Sequence, residues 1–371
     1  MPQNSILPIL FLLGFSNSAF AQETPTIVPY GDIRQRWEFI NSEGVEAGKE
    51  STYNQTRLRA RLGVKAKPTD DLSIDFRLAT AVGGTSTNQT YGDITDRGMK
   101  NKTFNLDRAY FKYSPVEWID FTAGRMANPL VLVADNDLLY DIDLNFDGVA
   151  LGSDVEAGDI TIYARLGSFI VAEEKDSATA KDIDFMAAQL GARATLIENL
   201  QILGTLSQYV YTNVKGHAGL DSTDPTAFFG NSNDGTVYTE DYNVLSAGLE
   251  VAYDWGFPVS VYGEYAKNQK LSEESTAFIY GVRTGRLKDA GDWIFAIDQR
   301  SVQKDSTFGA FTDSDSFGGG TNGRSLRVTG AYNITKSLGV QLSAFTGEFG
   351  IASGETALDR NRYHIDINAR F

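Results

Sequence analysis

From Tyr30 to the end of the chain, segments of about ten residues alternate apolar and polar side chains. This period of two restricts the fold more than any other feature. Leu72, Ile74, Phe76 and Leu78 alternate with Ser73, Asp75 and Arg77; Leu245, Ala247, Leu249, Val251 and Tyr253 alternate with Ser246, Gly248, Glu250 and Ala252. The linkers alternate too, in length. Short ones such as KPTDD (67–71), EAGD (156–159) and NITKS (333–337) take turns with long ones at 83–103, 128–145, 169–184, 214–240 and 304–322. A soluble sandwich has no reason to keep that rhythm. A barrel crossing a membrane does, because one rim carries turns and the other carries loops. The expected fold is an all-β transmembrane antiparallel β-barrel. Sixteen strands are counted, the first over 28–40 and the last over 361–371. The least regular segments are 118–126, where parity breaks near Gly124-Arg125, and 258–286, and counts of fourteen or eighteen stay open.

Composition agrees. The 371 residues include 36 glycines, 17 tyrosines and 22 phenylalanines, which favour strands and turns. There is no cysteine, so no disulfide and no thiolate site, and the two histidines leave little for a histidine metal centre. No metal and no cofactor is expected. Ile6 to Phe15 is a short apolar run followed by Ala19-Phe20-Ala21, a small-x-small cleavage signal, although no Lys or Arg precedes the run. Residues 1–21 read as a secretory signal peptide and 22–371 as the barrel domain.

The segment TRLRARLGVK (56–65) poses the sharpest question, because it sets Arg57, Arg59, Arg61 and Lys65 on one face and Leu58, Leu62 and Val64 on the other. In a membrane barrel the apolar face meets lipid and the charged face lines water. The same parity places Arg34, Arg36, Arg77 and Arg108 inside. Over all strands it assigns sixteen basic residues to the lumen against seven acids, Asp32, Glu38, Asp75, Glu250, Glu264, Asp298 and Asp366. The wall is therefore basic although the chain carries −15. A basic wall focuses positive potential and favours anions. The competing reading is that cross-strand ion pairs neutralise the ladder and stiffen the wall.

The last segment, NRYHIDINARF, puts Tyr363, Ile365, Ile367 and Phe371 on one face. It resembles the C-terminal signal by which barrel-assembly machinery recognises outer-membrane barrels. GDIRQRWE (31–38), TRLRARLG (56–63), FRLATAVGGTSTNQT (76–90), LDRAYFKYSP (106–115), FTAGRMANP (121–129) and DIDLNFDGVALGSD (141–154) together resemble a family of putative porins of Gram-negative bacteria. The resemblance implies an outer-membrane pore for small hydrophilic solutes and ions, embedded in outer-membrane lipid and suggested to be a homotrimer. The expected function is passive diffusion with a lean to anions. The alternative is a substrate-specific or polysaccharide-export channel.

The loop ADNDLLYDIDLNFDG (134–148) gathers Asp135, Asp137, Asp141 and Asp143. It could fold inward as a constriction facing the arginines, or stand in solvent. A calcium loop is the third reading, from the spacing of Asp141, Asp143 and Asn145. It departs from the EF-hand at Phe146 and Gly152, where Gly and Glu belong. Catalysis is not expected: neither His217 nor His364 has a serine motif around it. The run Gly318-Gly319-Gly320 is a loop and not a phosphate cradle, since no Lys-Ser/Thr follows. Trp37, Tyr110, Tyr113, Trp118, Tyr253, Trp255 and Trp293 fit an interfacial girdle. An acidic outer surface argues against nucleic acid.

Overall fold

The computed structural model describes residues 25–42, 52–81, 85–92, 97–175, 181–221 and 224–371. The leader expected over 1–21 lies outside them. Seventeen strands are present among these residues: β1 (Thr26–Ser42), β2 (Thr52–Thr69), β3 (Leu72–Thr80), β4 (Gln89–Thr90), β5 (Phe104–Val116), β6 (Ile119–Ala127), β7 (Asn145–Ala157), β8 (Ile160–Ala172) and β9 (Ile183–Ile197), followed by β10 (Leu200–Tyr211), β11 (Asn243–Asp254), β12 (Pro258–Asn268), β13 (Thr276–Gly285), β14 (Trp293–Val302), β15 (Gly323–Asn333), β16 (Leu338–Phe349) and β17 (Leu358–Arg370). The two-residue β4 extends the wall beside β2 beyond the end of β3, through Arg57↔Thr90 and Leu58↔Gln89. The other sixteen form one closed antiparallel barrel. The sequence carries no sign of β4, because two residues cannot show a period. Among the described residues no helix is long and apolar enough to cross a membrane.

Closure is made by β1 and β17, in register from Asp32↔Arg370 to Ser42↔Arg360. The ladder runs one residue further. Gly31 N–H donates to the Phe371 carbonyl at 3.3 Å, and Phe371 N–H donates to the Gly31 carbonyl at 3.1 Å. The Phe371 ring then lies over Gly31, where a Cβ would stand 2.6 Å from its Cζ. Only glycine lets the terminal aromatic fold back on the seam.

Period two divides the side chains as expected. Leu62, Val64, Ile74, Phe76, Leu166, Leu249 and Ile365 are exposed on the outer face, the side that lipid covers. Arg36, Glu38, Asp75, Arg77, Asp298, Arg300, Arg362 and Asp366 are buried inside. Trp118, Trp255 and Trp293 stand exposed at the short-turn rim. Tyr110 is a correction to the girdle: it points inward, donates to Asp75 Oδ2 at 3.2 Å and packs against the internal aromatic cluster.

Parity fails at one place that matters. The β3–β5 register shifts between Arg77 and Leu78, which pair Arg108 and Leu106 and leave Asp107 as the extra residue. A bulge re-aims side chains. Here both Asp107 and Arg108 reach inner partners, and Asp107 grips Arg77.

The lumen is not an empty pipe. Tyr140, Phe146, Phe169, Phe185, Tyr209, Tyr211, Tyr242 and Phe308 form a buried cluster within it. Phe185 stacks on Tyr211 with centroids 4.7 Å apart, and Tyr140 meets Phe146 edge-on at 5.4 Å. Burying each such ring contributes about 1.5–3 kcal/mol. The Tyr140 and Tyr211 hydroxyls satisfy each other at 3.0 Å.

Candidate functional site

The site begins with the β1–β2 register, which sets Arg34 opposite Arg59 and Arg36 opposite Arg57. Like charges facing each other across a ladder repel, so acids must come from elsewhere. Three sources supply them. Neighbouring strands give Asp32, which holds Arg61 at 2.6 Å and Arg59 at 3.0 Å, and Asp366, which holds Arg36 at 2.8 Å. Glu38 lies 3.7 Å from Arg57 and 3.3 Å from Arg362. The remaining acids come from two loops.

The loop 128–144 crosses the lumen. Gln189 of β9 is anchored to both backbone groups of Val131, at 2.8 and 3.0 Å. Ala134 N–H donates to Glu250 at 2.7 Å, and the Asn136 amide donates to Glu264 at 2.7 Å. Asp137 then bridges Arg300 and Arg327, the latter at 2.7 Å. Asp143 reaches β2, 3.3 Å from Arg59 and 3.4 Å from Arg61. Ala134 and Asp135 both adopt positive φ, 51° and 50°, which gives the loop its sharp reversal. Asp135 stays out of the network, largely exposed and 3.7 Å from Arg283.

The loop 303–322 meets it. Asp141 N–H donates to the Phe311 carbonyl at 2.8 Å, and Asp313 lies 3.6 Å from Arg300. Asp315 is held by Arg362 at 2.9 Å and Arg36 at 3.1 Å. Asn231, buried, joins a third loop to this one by donating to the Lys304 and Thr307 carbonyls. Sequence reasoning missed Asp313 and Asp315. Their one local sign is an Asp-x-Asp ahead of a glycine run, and periodicity is silent in loops.

Burial would raise the Asp137 carboxyl, but Arg300 and Arg327 outweigh it and hold it at about 2. Asp143 is lowered in the same way, its burial outweighed by Arg59, Arg34 and Arg61. Arg36, His364 and Arg362 bring Asp315 far below the carboxylate range against its burial. Asp141 lacks such a partner: burial, then Asp313 and Asp143, push it up to about 8.

Of the basic residues picked out from the sequence, Arg36, Arg57, Arg59, Arg61 and Arg77 each lie within 4 Å of a carboxylate. Lys65 stands over the Tyr30 ring at 5.2 Å, and Arg108 donates to Asn145 at 2.9 Å. Arg34 differs. It donates to Asn88 Oδ1 at 2.6 Å, has no carboxylate within 4 Å among the described residues, and leaves its buried Nε unpaired. It lines a cavity of about 140 Å³ together with Arg36, Arg59, Asp141, Asp143, Asp315 and Gln341. Tyr363, Ile365, Ile367 and Phe371 lie exposed along the outside of β17.

Asp141, Asp143 and Asn145 do not converge as calcium ligands. Asp143 faces Arg59, and Asn145 sits between Arg108 and Asp107. Glu38, Asp315 and His364 do converge within 4.8 Å, but Arg36, Arg57 and Arg362 crowd their oxygens and repel a cation. His364 Nε2 lies 3.1 Å from Glu38, and His217 Nε2 lies 3.0 Å from Glu174. Neither arrangement is a nucleophile with its base.

A closed barrel with an apolar belt outside and an ionised interior crossed by a loop is the architecture of an outer-membrane channel. The model of the putative porin family matches residues 42–239 and 238–371, and the chain belongs to that family. Its place is the outer membrane, and family and fold point to a channel rather than an enzyme. Among solved structures, the high-pH structure of Pseudomonas putida OprB is similar at 10% identity and TM-score 0.59, covering 92% of this chain and 94% of that one. A mutant porin of Rh. blastica matches at 12% identity and TM-score 0.52, covering 93% and 100%. The trimer form of Vibrio cholerae OmpT matches at 14% and 0.50, covering 94% and 100%. At these identities the likeness is one of fold. No curated protein matches the chain.

Proposed function

We propose that the protein is a passive diffusion channel for small hydrophilic solutes and ions, with a lean to anions carried by Arg34. One observation supports this reading: a polar cavity remains between the crossing loop and the wall of β1, β2 and β15–β17, and Arg34 lines it with no carboxylate within 4 Å among the described residues. The other arginines of the ladder are compensated, so the lean should be weak. The signal peptide expected over 1–21 would route the chain to export. Tyr363, Ile365, Ile367 and Phe371 would present it to the assembly machinery. A homotrimer is part of the proposal, supported by the trimer form of the similar Vibrio cholerae barrel.

The test is the zero-current potential of the refolded protein in a planar bilayer under a KCl gradient. A small anion-side potential that vanishes in Arg34→Gln is the expected result. A potential on the cation side would refute the role of Arg34. Absence of conductance would sink the open channel itself and favour a gated or export channel.

A further inference from the structure

We propose that the cavity beside Arg34 is a binding subsite for one short hydroxylated monocarboxylate, so that such acids cross by a saturable step. This rests on the channel reading and deepens it. Arg36, Arg59 and Arg327 of the same lining each have a carboxylate within 4 Å, at Asp366, Asp32 and Asp137. Arg34 has the neutral oxygen of Asn88 and, among the described residues, no carboxylate within 4 Å. A guanidinium presents a planar fork of donors that matches a carboxylate, and the pair is strengthened where water is scarce. An acid arriving here would supply the partner that the fold gives to every neighbouring arginine.

Charge sets the number of acidic groups. Asp137, Asp141, Asp143, Asp313 and Asp315 line the same cavity. A dianion such as inorganic phosphate would meet them with twice the repulsion, whereas a single carboxylate can face Arg34 and leave them behind it. The rest of the lining suits hydroxyl groups: Ser86, Asn88, Thr329, Gln341 and Ser343 offer neutral donors and acceptors. Size sets the length. About 140 Å³ holds roughly four or five waters at a liquid volume of about 30 Å³ each. That fits an acid of three or four carbons.

The probe is sodium L-lactate, with glycerol as the uncharged match and inorganic phosphate as the dianion. The purified protein in planar bilayers is titrated with each while the KCl current is recorded. The expected result is a saturating partial block by lactate, none by glycerol, and a weaker one by phosphate. Arg34→Gln should raise the half-blocking lactate concentration about tenfold or more, the effect of losing a charge-assisted pair. Arg34→Lys keeps the charge without the fork and should fall between. Arg324→Gln, whose side chain pairs Glu348 near the outer rim, should block like the native protein. Heat-dependent gel mobility establishes that each variant is folded. A lactate block that stays linear in concentration, or is unmoved in folded Arg34→Gln and Arg34→Lys, overturns the subsite while a normal KCl current leaves the channel standing. Loss of the KCl current in the native protein would overturn the channel reading itself.

Discussion

Asp137→Asn should loosen the crossing loop without unseating it. The Asp137 carboxylate is buried and shared by Arg300, itself 2% exposed, and Arg327. Removing one member of a buried pair costs about 3–5 kcal/mol, because the guanidiniums stay behind without it. The amide keeps the shape and one acceptor, and Asp298 still holds Arg327 at 2.8 Å, so roughly 3 kcal/mol is the fitting figure. At 1.4 kcal/mol per factor of ten, the released form of the segment around residues 136–141 rises roughly a hundredfold in population. The anchors at Gln189, Glu250 and Arg59 remain, so the loop stays within the barrel. Single-channel recording is the assay. The variant should show excess current noise and brief larger openings that the native channel lacks. Asp70→Asn, in an exposed turn with Lys67, is the control. A folded Asp137→Asn channel as quiet as the control would refute the reasoning, since the loop would then be held by something other than this bridge.

Two further outcomes are expected. Asp141 sits at about 8, so raising the pH from 7 to 9 adds a negative charge beside Asp143 and Asp313, and the zero-current potential should move towards cations. Asp141→Asn should flatten that profile, and a native profile already flat would contradict the assignment. The sign for stability is the same: the folded state keeps a proton that the unfolded chain releases near pH 4, so this group's contribution falls as pH rises towards 8. At the seam, Gly31→Val should cut the yield of heat-modifiable folded barrel, because its Cβ would meet both Phe371 and the Arg61 carbonyl oxygen, the latter at 2.5 Å. Gly330→Val, where a Cβ meets nothing within 4 Å, should refold normally; equal yields would remove the seam's steric argument.

The wall was legible because lipid outside and water inside force every side chain to choose a face. Leu62 and Arg61 could be placed from parity alone. That logic stops where the backbone leaves the strand. Asp107 was lost to a bulge, which spends one residue without changing composition. Asp137 and Asp315 act across separations of 190 and 279 residues, with Arg327 and Arg36, and no local pattern encodes such partners. The ladder on β1 and β2 left two readings open in the sequence, a basic wall and a wall of cross-strand ion pairs; Asp32, Glu38 and Asp366 supply such pairs, while Asp143 and Asp315 enter from loops that parity does not reach. Tyr110 was misassigned for a related reason: an aromatic near a strand end suits the interface and an internal cluster equally well.

That internal cluster has a thermodynamic consequence. Side chains on the outer face remain among hydrocarbon, so ordering them there changes their hydration little. Phe185, Tyr209, Tyr211 and Phe308 are enclosed within the wall and would meet water if the interior came apart while the strands stayed in the bilayer. Exposing apolar surface to water raises the heat capacity by about 0.45 cal/K/mol for each Å². Melting of the plug inside an intact barrel should therefore register in a calorimeter as the unfolding of a small soluble domain, with a positive step in heat capacity. Its stability should weaken on cooling as well as on heating.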